Sequence, residues 1–133
     1  MDRQALLDNF VKRVGNKGRS EVIDQDTNDL ACQYVPNNGH PGCAIGCQPC
    51  FDDPRLREIL KGYEGRLIYY VLEKQSEIKD ALAVQTQEEE DFLCFLQSLN
   101  DNIANWEGKQ LKQTSVDRFA RRHDLVSPRV PTV

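Results

Sequence analysis

Three of the chain's five cysteines fall within eight residues, as Cys43-Ala-Ile-Gly-Cys47-Gln-Pro-Cys50, directly after the turn-forming run Pro36-Asn-Asn-Gly-His-Pro-Gly42. Thiolates and an imidazole suit a tetrahedral zinc ion, so His40, Cys43, Cys47 and Cys50 form a candidate metal set. All four lie within eleven residues and Pro49 stiffens the last step, whereas structural zinc sites usually join two separated ligand pairs; Cys32 is the alternative fourth ligand. Free cysteine is also among the most buried residue types. The favoured expectation is therefore that Cys32 and Cys43 pack as small hydrophobes, with Cys47 and Cys50 near the rim. No cofactor is expected, and zinc is the alternative.

Nucleophilic catalysis by one of these thiols requires a base or a helix N-terminus to activate it. Cys50 precedes the helix start Asp53-Pro54 and His40 lies close in sequence, but the pair carries no recognised signature; Cys94, between Leu93 and Phe95, reads as core or flank. The spacing from Cys43 to Cys50 resembles the cluster-binding motif of radical S-adenosylmethionine enzymes, in which three thiolates leave one iron open for the cofactor. That resemblance covers eight residues. Such enzymes need an α/β barrel of roughly 200 residues or more, and this chain shows no alternating strand and helix pattern. The carboxylates at Asp52-Asp53 and from Glu88 to Asp91 are explained by helix capping and by the helix dipole. No catalytic residue is assigned, and enzymatic activity is not expected.

The formal net charge of −4 disfavours nonspecific attraction to nucleic acid. It conceals an asymmetry. From Lys109 onward six basic residues stand against two acids, so this end is positive and the remainder strongly negative. Arg118, Arg121 and Arg122 are the candidate contact residues, for nucleic-acid phosphates or for an acidic partner. A helix-turn-helix reading would use 102–112 as the preceding helix, and the acids at 88–91 would repel DNA nearby.

The elements that must position these groups are mostly helical. Leu6, Leu7, Phe10, Val11 and Val14 predict a helix over 3–14, capped by Asp2 and ended by Gly15. The loop 15–20 carries two glycines but lacks the ending of a phosphate cradle. Residues 30–35 and 42–46 read as two strands of a short β-hairpin, with Cys32, Tyr34, Cys43 and Ile45 on its apolar side. Asp53-Pro54 opens a helix that Gly62 closes. The run Arg66 to Leu72 suits a strand or a helix, and the spacing of Ile68, Val71, Leu72, Ile78 and Leu82 favours a helix to about Ala83. Thr86 introduces the strongest helical pattern, 87–106, through Phe92, Leu93, Leu96, Leu99, Ile103 and Trp106. Thr114 or Ser115 caps a last short helix with Val116, Phe119 and Ala120 inward.

The expected fold is mainly α, a small helical domain with one short β-hairpin, or α+β if Arg66 to Leu72 is a strand. One globular domain over 1–126 with a flexible tail over 127–133 fits the length and the prolines at 128 and 131. No secretory signal or membrane-spanning run is read, so the expected location is cytoplasmic, with thiols held reduced.

The segments Ala31-Cys-Gln-Tyr-Val35 and Gly42-Cys-Ala-Ile-Gly46, the acidic turn Asp52-Asp53, and Phe92-Leu-Cys-Phe-Leu-Gln-Ser-Leu-Asn-Asp101 together resemble a group of uncharacterised phage and bacterial proteins. Their pattern is a Cys-x-Tyr strand, Cys-Ala-Ile-Gly and a later Leu-Gln-x-x-His-Asp helix. Asn100 stands in place of that histidine, and Cys47 and Cys50 replace apolar residues and a proline. The resemblance implies a phage or mobile-element type of protein and brings no activity. The functional expectation is a non-enzymatic protein acting through protein–protein binding, with a zinc- or cluster-stabilised module and nucleic-acid binding as alternatives.

Overall fold

Local signals set the helix ends. In the computed structural model, which describes residues 1–19, 21–23, 30–36 and 39–132 and only the backbone of 21–23 and 30–32, the first helix α1 spans Arg3–Val14. Its N-terminal amides are met by Asp2, whose carboxylate accepts from Ala5 N at 3.0 Å. Leu6, Leu7, Phe10, Val11 and Val14 are buried along one face, as their spacing requires.

Helix α2, Pro54–Lys61, starts on proline with Asp53 as its cap and stops at Gly62. Helix α5, Gln87–Asp101, opens with a full capping box: Thr86 Oγ1 accepts from Glu89 N while Glu89 Oε1 accepts from Thr86 N, each at 3.2 Å. Among the described residues there are six α-helices and two small antiparallel ribbons, so the fold is mainly α with short β-hairpins. No helix among them is long and apolar enough to cross a membrane.

Several expected elements take a different form. Strand β2, Leu30–Cys32, pairs antiparallel with β1, Glu21–Ile23, and not with 42–46. The segment 42–46 instead winds into turns against Tyr34: a Cβ on Gly46 would lie 2.0 Å from the Tyr34 carbonyl oxygen. Tyr34, Cys43 and Ile45 are nonetheless fully buried, as expected of the apolar side; the Cys32 side chain and the turn residues 37–38 lie outside the described residues.

The single helix expected from 66 to 83 is two: α3, Ile68–Lys74, and α4, Ser76–Ala81, separated by extended backbone at Gln75. The break lets Ile68, Val71, Leu72, Ile78 and Leu82 all reach the core. Helix α5 ends five residues short of the expected 106. Asn102 stops it and caps a 3₁₀ turn at Ile103–Asn105, leaving Ile103 70% exposed. Trp106 then turns inward in a second ribbon, β3 (Trp106–Glu107) with β4 (Gln110–Leu111), and its indole N–H donates to the Asn100 carbonyl at 2.7 Å.

Helix α6, Gln113–Arg122, follows β4 directly. It begins before the expected caps because Lys112 N is already tied to the Asn105 carbonyl at 2.8 Å. The element preceding α6 is thus a ribbon and not a helix, which removes the helix-turn-helix geometry. Beyond α6 the chain runs back along α1 and α6. Asp117 accepts from the Ser127 hydroxyl, Gln113 bonds Val130 N at 2.8 Å, and Asn16 bonds the Thr132 carbonyl at 3.0 Å. The segment 127–132, expected as a flexible tail, is held by these bonds.

Candidate functional site

The thiol segment is built as structure. Gln48, almost fully buried between Cys47 and Cys50, donates from Nε2 to the carbonyls of Leu6 at 2.9 Å and Ala44 at 2.8 Å, tying the segment to α1. Arg13 adds a bond from Nη1 to the Cys47 carbonyl at 2.9 Å. Cys43 is disulfide-bonded, contrary to the expectation of fully reduced thiols, so it offers no thiolate to a metal. The formation of that bond depends on which sulfurs the fold brings together, which spacing along the chain does not reveal.

Cys47 and Cys50 are free thiols. Burial pushes Cys47 up to about 12, only partly offset by Arg13, and pushes Cys50 up to about 11. Both stay protonated near neutrality, the wrong state for a nucleophile. His40 is tied into the turn: its Nδ1 accepts from Gly42 N at 3.0 Å and its Nε2 faces the Gly18 carbonyl at 2.9 Å. With Nδ1 accepting, the ring proton sits on Nε2 and donates to Gly18. Among the described residues no group of three or more His, Cys, Asp or Glu side chains is gathered as a metal site. The structure therefore does not bring His40, Cys43, Cys47 and Cys50 together as a ligand set. Cys94, half-buried on α5, sits near Tyr69, and burial raises its thiol as well.

A cleft lined by polar and aromatic side chains lies elsewhere, between α5 and α6, with a volume of about 220 Å3. Arg118 and Arg122, one helical turn apart, both line it, whereas Arg121 does not. All three arginines are exposed, and none joins an ion pair among the described residues. Two acids of α5 and α6 are occupied, whereas Asp124, two residues past Arg122, is exposed. Asp117 accepts from Ser127 and Gln113, which holds its carboxyl below the usual range, and Asp91 accepts from Tyr69 and Gln87.

An aromatic wall forms the floor. The His123 ring stands 4.3 Å from Phe119, 5.4 Å from Phe95 and 5.3 Å edge-on from Phe92, centroid to centroid. Burial first, and then the positive charges of Arg122 and Arg3, lowers the His123 pKa and favours the neutral ring. Its Nε2 is buried with no hydrogen-bond partner among the described residues, a condition that costs about 1–3 kcal/mol in a protein interior. Phe95 is 49% exposed.

Sequence reasoning found the arginines of this cleft but not the rest. Phe95 and His123 lie far apart along the chain. The only local sign was a large aromatic on α5 off the buried stripe of Phe92, Leu93, Leu96 and Leu99.

No family model, curated protein sequence or solved structure matches the chain.

Proposed function

We propose that the protein works by recognition and not by bond-making, engaging an acidic protein partner through the face of α6 that carries Arg118, Arg121 and Arg122. The observation that carries the reading is that these three guanidiniums are exposed and join no ion pair among the described residues, while Asp117 on the same helix is already committed to internal hydrogen bonds. Guanidinium is weakly hydrated and matches carboxylate bidentately, which makes unpaired arginine an economical recognition group. The protonated thiols and the tied imidazole of His40 supply no activated nucleophile to set against it. The acidic excess over the rest of the chain would repel an extended polyanion lying across the molecule, which favours a protein partner over nucleic acid.

The test is a quantitative capture comparing the protein with the variant Arg118→Glu/Arg121→Glu/Arg122→Glu. A specific partner rich in Asp and Glu should be retained by the parent at about 0.1 M salt, released near 1 M, and missing from the variant. Equal capture by parent and variant would overturn the reading, and so would a salt-sensitive DNA complex in place of a protein one.

A further inference from the structure

The cleft beneath that face combines three features that a purely electrostatic contact does not need. Two exposed arginines that join no ion pair among the described residues, Arg118 and Arg122, line it. Phe95, 49% exposed, lines it beside His123, 5.4 Å away centroid to centroid. Two amide side chains also line it with half of their capacity unused: Asn102 Oδ1 is taken by Ala104 N and Asn105 Nδ2 by the Leu99 carbonyl. Among the described residues that leaves Asn102 Nδ2 to donate and Asn105 Oδ1 to accept. His123 lines the cleft through its ring, while its Nε2 is buried and has no hydrogen-bond partner among the described residues.

We propose that the α5/α6 cleft is a binding site for a single nucleotide, with its phosphate held by Arg118 and Arg122 and its base laid against Phe95 within reach of the Asn102 and Asn105 amides. A guanidinium pair selects a phosphate. An aromatic face selects a planar ring, because stacking is available to every base. A free donor and a free acceptor select a heterocycle over a plain hydrocarbon ring, since only the heterocycle has polar edges to offer. No carboxylate among the described residues lines the cleft to oppose the phosphate.

Size sets the limit. The volume of about 220 Å3 falls below the roughly 300–1,000 Å3 of pockets for drug-sized ligands. It admits one ring and its anionic group, with the sugar toward the open mouth, and has no room for a second base. The negative charge of the remaining chain also disfavours a longer strand. The inference rests on reading α6 as the recognition face. It is tested on the isolated protein without any partner, so its failure is separable from failure of the partner assay.

The experiment titrates the four common nucleoside 5′-monophosphates, their unphosphorylated nucleosides, inorganic phosphate and a short oligonucleotide, read by calorimetry and by NMR shifts. At least one monophosphate should bind one-to-one with a dissociation constant of about 1 mM or tighter. Its nucleoside and inorganic phosphate should each bind at least about tenfold more weakly, since each keeps only half of the contacts. Arg118→Gln/Arg122→Gln and, separately, Phe95→Ala should each weaken binding about tenfold or more. All three sites are exposed or half-exposed, and thermal melts of the variants matching the parent establish that they fold. No saturable binding, phosphate binding as tightly as the nucleotide, affinity rising with strand length, or affinity unchanged in both variants would each overturn the proposal.

Discussion

The Gln97 side chain on α5 is hydrogen-bonded to Tyr34, its amide nitrogen donating to the phenolic oxygen at 3.0 Å, and that phenol in turn donates to the Arg66 carbonyl at 2.6 Å. The other end of Gln97 accepts from Ile68 N, the first amide of α3, at 3.3 Å. One buried chain of bonds thus joins the segment after β2, the entry to α3 and the middle of α5. Burial is the main reason the Tyr34 hydroxyl is held far above its usual pKa, so the phenol remains a donor.

Tyr34→Phe keeps the ring and removes the hydroxyl. The Gln97 amide and the Arg66 carbonyl both lose their shared partner in a buried site. The expected cost is about 1–3 kcal/mol in urea unfolding. In a double-mutant cycle with Gln97→Leu the coupling should exceed about 0.5 kcal/mol. Strictly additive losses would show that the bond contributes nothing.

Gly46→Ala should be among the most damaging single changes in the chain. Its new Cβ would stand 2.0 Å from the Tyr34 carbonyl oxygen and 2.7 Å from the carbonyl carbon, and neither backbone atom can move without opening the turn. A loss of about 4 kcal/mol or more is expected, the range of severe core lesions. Gly39→Ala is the control: φ is +82° but nothing among the described residues lies within 4 Å of the new Cβ, so left-handed strain of roughly 1–2 kcal/mol is the expected cost. Equal melting temperatures for the two variants would contradict this packing.

Glu64 imposes a pH dependence of a definite sign. Its Oε1 accepts from Tyr34 N at 2.8 Å and Val35 N at 3.1 Å, while Oε2 is buried without a partner among the described residues. Desolvation is the largest influence and raises its pKa above the usual 4.5, against the opposing pull of those amides. Between the unfolded value and the raised folded value the native state binds the extra proton, so stability falls as pH rises through that window. Asp91, Asp117 and Glu89 have lowered values and act in the opposite sense at lower pH. The stability of the parent minus that of Glu64→Gln should therefore decline as pH rises above about 4.5 and then level off. A difference that increases across the window would refute the assignment.

The thiols should react slowly in the native protein. With Cys47 near 12 and Cys50 near 11, on the order of one molecule in 10⁴ and one in 10³ carries the respective thiolate at pH 8. Iodoacetamide should label both at least about tenfold more slowly than free cysteine. In denaturant without reductant Cys47, Cys50 and Cys94 should label fully while Cys43 does not; adding reductant should expose Cys43 and lower native stability by about 2–5 kcal/mol. Labelling of Cys43 before reduction would show that its disulfide is absent in solution.

The helix termini legible in the sequence are those written in adjacent residues. Asp2 and Asp53-Pro54 begin helices and Gly15 and Gly62 end them where expected, because a cap is satisfied within four residues. The interior of 66–83 was legible as helical and buried, but not its break at Gln75, which carries neither glycine nor proline. Trp106 continued the apolar spacing of α5 yet left the helix, since its indole is satisfied by folding back onto the Asn100 carbonyl. Of the cleft, only Arg118 and Arg122 were visible, because a charge excess is local while the meeting of Phe95, Phe119 and His123 requires two helices to pack.

By itself the sequence determined the helical character, the polarity of charge along the chain, and the positions where short-range caps start and stop helices. Only the tertiary structure decided that β2 pairs with β1 and not with 42–46, that Cys43 is bonded while Cys47 is buried and Cys50 half-buried as protonated thiols, and that Arg118 and Arg122 of α6 border an aromatic cleft. The reason is one of range. Capping and periodicity are interactions among neighbours in the chain, whereas strand pairing, desolvation and ring packing depend on which distant residues exclude water from the same space.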